Sequence, residues 1–556
     1  MKCSPMSAGL RYLLVVLCIL VASRPAYGQD YDVVIENGLV IDGSGRLPAI
    51  MTVAIRNAEI SYVGPRTDLS AEKRIDATGL VVAPGFIDVH NHSELLVQNL
   101  TNPDSNSLSN EAFVRQGVTL VVIGPDGLLG PAGIRRIRDF VRTKGSSTHV
   151  AAYAGHNAIR TQVMGAKAAF ATSDELNKMK ALVEEAMEIG AVGLSTGLMY
   201  APGMYSDTNE VVELAKVVAR YGGSYDSHVR NPVFDLLGSY REAIEIGNRA
   251  GIRAKIAHAK VVGKHNDGKF SEVRALINDA RSRGANIVTD QYPYDGAATS
   301  KLHEIVALPA HFSPAGEYQD ARVPPPKEWV ARLLSDPHVR AELKLYNEEV
   351  STGFTWAQAV GYGSFRIVAC EAKPELIGQY IVDIARDKRS SEFDVISNMI
   401  VDPSLDVTIT LGAVSEENVQ DLMVQPWNMI ASDGAWSDRE SSRLLHPRST
   451  GTFTRVLGHY VRELGVLDIS TAVRKMSTFP AEFMGFSRRG RIKQGYFADV
   501  AIFDPTTVRD QSDWLNPDRY SVGMIHVIVG GTFVLENEHM TPEMPGQFVE
   551  LPRDQN

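Results

Sequence analysis

Two rhythms of apolar residues divide the chain. Near both ends, apolar and polar residues alternate over short runs. Tyr31–Ile41 reads YDVVIENGLVI and Thr52–Gly64 reads TVAIRNAEISYVG; after residue 485 come ADVAIFD, MIHVIVGG and TFVLENE. Alternation of period two, broken at Asn37-Gly38 and Asn57-Ala58, predicts strands joined by tight turns. Residues 29–83 and 485–556 are therefore expected to form two parts of one small β unit. The polar, proline-bearing stretch after Met540 is expected to be a loose tail.

Between these ends the apolar runs become continuous, as in parallel strands buried on both faces. Val81–Val89, Val118–Ile123, His149–Ala154, Ala191–Leu194, Gly223–Ser227, Arg253–Ala257, Asn286–Asp290 and Met429–Ser432 are the expected strands. Helical segments separate them. One is Asp174–Ile189, with Thr172 and Glu175 at capping-box spacing and Gly190 as its stop. Others are Asn209–Tyr221, Phe234–Ala250 and Ser271–Arg283. About eight alternations, with polar residues at many strand ends, favour a (β/α)8 TIM-like barrel over an open doubly wound sheet. The fold class is thus α/β: a barrel over 84–484, inserted in a small β-sandwich domain formed by both ends of the chain. Asp295–Gly361, with Pro324-Pro325-Pro326 and a polar helix around Trp329–Glu349, interrupts the rhythm and reads as a lid-like insertion at 295–361.

Composition narrows the function classes. The 556 residues are 44% hydrophobic and carry a net charge of -10, with no basic run, so nucleic acid is not an expected partner. Residues 1–28 read as a signal peptide: Lys2 and Arg11, the apolar core Tyr12–Ala22, and a small-x-small site at Ala26-Tyr27-Gly28. A core of that length is too short to span a bilayer comfortably. The expected product is periplasmic or secreted, without stable membrane insertion after cleavage. Cleavage removes Lys2, Arg11 and Arg24, taking the charge from -10 to -13, and leaves Cys370 as the one cysteine. Cys370 lies in an apolar run and reads as a small buried hydrophobe.

Chemistry collects at the strand ends. His90 and His92 sit two apart, so their side chains share a direction on an extended strand. Asp126, His156, His228, His258 and Asp433 end other strands. A barrel brings all of them to one rim, where several N and O donors make a Zn- or Mn-type site.

The wording of these motifs resembles the amidohydrolase superfamily, and within it the N-acyl-D-amino-acid deacylases. The matching pieces are GFIDVHNH (85–92), VGLSTGLMYAPG (192–203), SHVRN (227–231), AHAK (257–260), DQYPY (290–294), ASDG (431–434), HPRSTGTFTRVL (446–457) and RIKQGYFADVAIFDP (491–505). The resemblance implies hydrolysis of an N-acyl-D-amino acid to a carboxylate and a free D-amino acid. It implies that His228 and His258 hold the principal metal and that His90, His92 and Asp433 line a second position. Asp433 would be the general base, then the acid for the leaving amine. Lys260, Tyr292 and Arg448 would grip the substrate carboxylate, and Tyr200 would shape the side-chain pocket. His156 fits the pattern as a supporting residue or as a substrate contact. The expected partner is a small-molecule substrate, and the oligomeric state stays open.

Two departures stand out. Relatives usually carry Asn-Cys-Gly after the second strand, with the cysteine on the metal. This chain has Pro125-Asp126-Gly127. Asp126 is read as a ligand, with a turn-capping role as the alternative. A carboxylate is harder than a thiolate, so zinc is expected with a greater share for Mn, Co or Mg, as one or two ions. The second departure is Ala298, where a carboxylate-binding serine is common; Thr299 or Ser300 is the nearest substitute. Two rival functions remain: another amidohydrolase reaction (dipeptide, cyclic amide or lactam hydrolysis), and a non-catalytic binding protein on the same scaffold.

Overall fold

The structure is a computed structural model. It describes residues 30–94, 109–165, 167–312, 325–350, 355–412, 414–435 and 446–552. The expected signal peptide at 1–28 lies outside the described residues.

The N-terminal strands are β1 (Tyr31–Val40), β2 (Ala49–Arg56), β3 (Glu59–Gly64), β4 (Ala71–Asp76) and β5 (Val81–Pro84). The turn at Asn57-Ala58 joins β2 to β3, with φ of 50° and 66°. Asn37-Gly38 does not turn the chain. It is a bulge inside β1, where the register with β2 slips between Ile35 and Gly38 and Asn37 takes φ 61°. The same left-handed backbone serves a hairpin or a bulge.

Eight parallel strand positions build the barrel. They are β6 (Phe86–Asn91), β7 (Val118–Ile123), the broken pair β8 (His149–Ala152) and β9 (Ala154–Gly155), β10 (Gly193–Gly197), β11 (Ser224–His228), β12 (Arg253–Ile256), β13 (Ile287–Gln291) and, late in the chain, Asn428–Ile430. Helices α1 (Pro131–Lys144), α2 (His156–Met164), α3 (Ser173–Ile189), α4 (Thr208–Ala219), α5 (Leu236–Ala250) and α6 (Phe270–Ser282) cross between them. Thr172 and Glu175 form the predicted capping box of α3. The barrel closes where Asp433 N donates to His90 O at 2.9 Å and His92 N donates to Gly434 O at 2.8 Å.

After β13 the chain leaves the rim and builds a separate three-stranded antiparallel sheet: β14 (Gly296–Lys301), β15 (Phe365–Cys370) and β16 (Val407–Gly412). Helices Lys327–Ser335, Pro337–Leu345, Ile381–Lys388 and Glu392–Val401 pack with it around Phe365, Ile367, Ile409, Leu411 and Cys370. The insertion therefore runs from about 295 to 412, further than the expected 295–361. Its polar helix is two helices hinged at Asp336, which caps the second. The chain re-enters the barrel through Glu416–Met423 and β17 (Asn428–Ile430).

The C-terminal strands β18 (Val500–Phe503), β19 (Met524–Val529), β20 (Thr532–Glu536) and β21 (His539–Met540) join the N-terminal ones in a single nine-stranded sheet. Its hinge is β18 against β5, antiparallel, with Val500 opposite Pro84. Both parts of the sheet enclose one core that includes Val33, Ile55, Val82, Ile502 and Ile528. The barrel is thus inserted between β5 and β18.

The stretch after Met540 is not a loose tail. Pro545 and Phe548 bridge in parallel to Ser146 and Val150, and Phe548 and Val549 are buried. Gln547 O accepts from Val150 N at 3.0 Å, and Val549 N donates to Val150 O at 2.7 Å. The tail supplies a strand against the start of β8, at the end of the barrel opposite the site.

Candidate metal centre

Six side chains converge at the C-terminal rim. His90 is the penultimate residue of β6 and His92 lies just past it; Asp126 lies past β7, His228 ends β11, His258 lies past β12 and Asp433 past β17. Three leave the strand direction through left-handed backbone: Asp126 at φ 55°, His258 at 32° and Asp433 at 48°. Such a turn re-aims a side chain from the barrel wall toward the axis. It is uncommon outside glycine, and strain of this kind gathers at functional sites. Asp88, fully buried, ties the first strand to the last: it accepts from Ser432 N at 2.9 Å and from Asn91 Nδ2 at 2.9 Å. That tie brings His90 beside Asp433.

Asp126 stands at the centre. Its Oδ1 lies 3.6 Å from His228 Nδ1, 3.7 Å from His258 Nε2 and 3.7 Å from His90 Nε2, and its Oδ2 lies 3.8 Å from His92 Nε2. Asp433 Oδ1 lies 3.4 Å from His90 Nε2 and 3.3 Å from His92 Nε2. The four Asp126 contacts are too long for hydrogen bonds. Both ring nitrogens of His90, Nδ1 of His228 and Oδ1 of Asp126 are buried with no hydrogen-bond partner among the described residues. An unsatisfied buried polar atom costs about 1–3 kcal/mol. Several converging on one point fit a cation that all of them share. Among the described residues, His90/His92/Asp126, His90/His258/Asp433 and Asp126/His228/His258 each place three donor atoms within 4.8 Å of one another. The donor set of imidazole and carboxylate suits a divalent metal.

Without an ion, the electrostatics differ from one histidine to another. Burial and the Lys260 ammonium push the His258 pKa down to about 3, so the ring is neutral, the form that binds metal. Burial also opposes charge on His92, but Glu94 at 2.9 Å, with Asp433 and Asp126, outweighs it and raises the pKa to about 10. Burial would raise the Asp433 carboxyl, yet Arg448 foremost, at 2.6 Å, holds it well below the usual range. A fourth triplet, His90/Asp226/Asp290, lies deeper in the barrel. It already contains a cation: Lys255 Nζ contacts Asp226 Oδ1 at 3.1 Å and bonds to Asp290.

The expected substrate-binding residues gather beside Asp433. Lys260 Nζ and the Arg448 guanidinium lie 5.1 and 4.8 Å from the centre of the Tyr292 ring, and Tyr200 packs 4.6 Å from the His228 ring. His156 does not join them. It is fully buried on α2, with Nε2 at 2.8 Å from Glu210, which also holds Arg160. Of the two readings of His156, supporting residue and substrate contact, its burial and its bond to Glu210 fit the supporting one. Asn157 beside it pins the loop carrying Tyr200, through Gly197 N at 3.1 Å and Gly197 O at 3.0 Å. Ala298 lies in β14, and Ser300 Oγ is bonded to Glu304 at 2.7 Å.

Sequence reasoning missed Asp88, Glu94, Asp226, Lys255 and Asp290. A signal existed: Asp88-x-His90 and Asp226-x-His228 place a carboxylate in phase with a histidine, one residue pair deeper along the same strand.

Known proteins carry the same arrangement of chain. The amidohydrolase family model matches residues 73–225 and 367–535. D-aminoacylase of Alcaligenes xylosoxydans xylosoxydans is 30% identical over 537 residues, covering 94% of this chain and 98% of that protein. N-acyl-D-glutamate deacylase of the same organism is 31% identical over 527 residues, covering 91% and 94%. Among solved structures, N-acyl-D-glutamate deacylase of Bordetella bronchiseptica, complexed with zinc and a phosphonate mimic of the tetrahedral intermediate, superposes with a TM-score of 0.73 at 28% identity, covering 94% of this chain and 99% of that one. A D-hydantoinase shares the fold at a TM-score of 0.55 and 14% identity. With a strand-end cluster built for a divalent metal, a barrel carried in a β domain and these relatives along nearly its whole length, the chain belongs to the amidohydrolase family.

Proposed function

We propose that the protein is an N-acyl-D-amino-acid deacylase, hydrolysing the linear amide to a carboxylate and a free D-amino acid. The observation that carries the reading is Asp126, whose carboxylate faces all four histidine rings. His228, His258 and Asp126 would hold the principal metal, and His90, His92 and Asp433 a second position. A divalent ion there, when bound, supplies Lewis acidity and makes water a nucleophile near neutral pH. Asp433 takes a proton from the attacking water and returns it to the departing nitrogen; its low pKa keeps it ionised for the first transfer. Arg448 offers a planar fork to the substrate carboxylate, with Lys260 as a second cation and Tyr292 between them. The insertion leaves and re-enters the barrel at the rim and covers the mouth in this reading. Zinc is the expected ion, with Mn, Co or Mg competing better than at a thiolate site. Residues 1–28 direct export to the periplasm or medium.

The test is metal analysis of the purified protein beside a hydrolysis screen of N-acetyl-D- and N-acetyl-L-amino acids with Zn, Mn or Co added. Metal-dependent turnover confined to D-substrates is expected. Bound metal with turnover of neither enantiomer would redirect the assignment to a different amide, and absence of both metal and turnover would favour a binding protein. Export is checked by cell fractionation and by N-terminal sequencing, expected to begin at Gln29.

A further inference from the structure

Beneath the metal centre lies a charged layer that no step above uses. Lys255 on β12 is completely buried, and so are Asp226 on β11 and Asp290 on β13. The β6–β7 register slips between Asp88 and Asn91. Next to that slip, the carbonyl of Val89 accepts from Lys255 Nζ at 2.8 Å. The ammonium thus ties three neighbouring strands to the one that carries His90. Two ligands rest on this layer. Asp290 Oδ1 accepts the backbone N–H of His258, which holds that residue in its left-handed turn. Asp226 Oδ2 lies 3.6 Å from His90 Nδ1, and neither of these two atoms has a hydrogen-bond partner among the described residues. Nε2 of the same ring faces Asp126 and Asp433. A ring that gives Nε2 to a metal must carry its proton on Nδ1, and the acceptor facing that proton is Asp226. Carboxylates in this relation fix the ring and raise its basicity toward the metal.

We propose that Asp226, held by Lys255, is a positioning residue of the metal centre: it accepts the Nδ1 proton of His90 and so sets the metal affinity of the His90 position. Asp290 does the corresponding work for His258 through its backbone. The inference rests on the metal-centre reading and adds to it a residue outside the ligand set.

Asp226→Asn tests it cleanly. The change keeps the shape, and it leaves Lys255 and Asp290 as a one-to-one ion pair, so no buried charge is stranded. Asp226→Ser is a second, smaller replacement with the same charge balance. Zn(II) affinity of the metal-free full chain is measured by chelator competition, Co(II) binding by its visible absorption, and stability by melting of the metal-free protein. Asp499→Asn, which breaks a buried ion pair remote from the rim, is the stability control. The expected result is a loss of Zn affinity of about tenfold to a hundredfold in both Asp226 variants, with an altered Co(II) spectrum. The Asp499 variant keeps the wild-type affinity despite a lower melting temperature. Wild-type affinity and spectrum in either Asp226 variant would overturn the inference, whatever their melting temperature. A wild-type chain that takes up neither Zn nor Co would instead overturn the metal-centre reading itself.

Discussion

At the scale of the residue, the site depends on groups whose protonation is settled by their neighbours. In the proposed mechanism Asp433 acts through its charge, so Asp433→Asn should abolish turnover. Asn tolerates the left-handed backbone that this position needs, and the fold and melting temperature should stay near wild type. Retention of more than a few per cent of kcat would remove Asp433 from the proton-transfer role. Far from the rim, His149 Nδ1 accepts from Gln547 N at 3.0 Å, so its proton sits on Nε2 and is donated to Asp499. Burial alone would raise the Asp499 carboxyl, but His149 and Arg489 hold it well below the usual value. A carboxyl depressed on folding stabilises above its unfolded pKa of about 4 and loses that contribution as pH falls toward its folded value. Asp499→Asn should therefore cost about 3 kcal/mol at pH 7, and the gap from wild type in urea melts should narrow below pH 4. A gap independent of pH would exclude the charged pair as its source. The clustering of His90, His92, Asp126, His228, His258 and Asp433 was legible from sequence because polar residues end apolar runs. The residues beneath them were not, because a single Asp or Lys inside such a run carries no sign of which partner crosses the barrel to meet it.

Elements were legible where their signal is local. Most of the continuous apolar runs became parallel barrel strands, and the Thr172/Glu175 pair became a helix start, while Val81–Val89 splits at Gly85 between β5 of the nine-stranded sheet and β6 of the barrel. Three features escaped because their cause lies elsewhere in the chain. The Asn37-Gly38 bulge is decided by β2, which continues past it as one partner. The insertion gains β15 and β16 by pairing across residues far apart in sequence, and Phe365–Cys370 reads alone like another barrel strand. The tail is short and proline-bearing, and only its contact with Val150 makes it a strand. Its fit is close: a Cβ on Gly546 would lie 2.0 Å from Thr148 O. Ending the chain at Met544 uncovers Phe548 and Val549 and should cost about 3–6 kcal/mol at ordinary side-chain burial values. Because the tail pairs at the end of β8 away from the rim, kcat of the folded fraction should persist. Equal stability of full-length and shortened chains would show that the tail is not part of the barrel wall.

For the whole molecule, the division of labour is between a scaffold that closes twice and a rim that is left polar. The β sheet closes through β5 and β18, and the barrel through β6 and β17. The metal centre lies at the second closure, so a bound ion cross-links strands from opposite ends of the barrel sequence. Binding only to the folded state adds about 2.7 kcal/mol at a free ion concentration a hundred times Kd. Melting temperature should accordingly rise with added Zn or Mn and fall on chelation, more in the wild type than in a variant with His228 and His258 replaced by Ala. An identical response in both would place the stabilising ion outside this centre.

The strand formed by residues 545–549 also governs the order in which the molecule can be made. Val150 emerges from the ribosome about four hundred residues before its partner Phe548, and β5 waits slightly longer for β18. Neither sheet can be completed on a nascent chain. The early strands must stay uncommitted, or shielded by a chaperone, until residues 500–549 have been synthesised, and that later segment then locks the first ones in place.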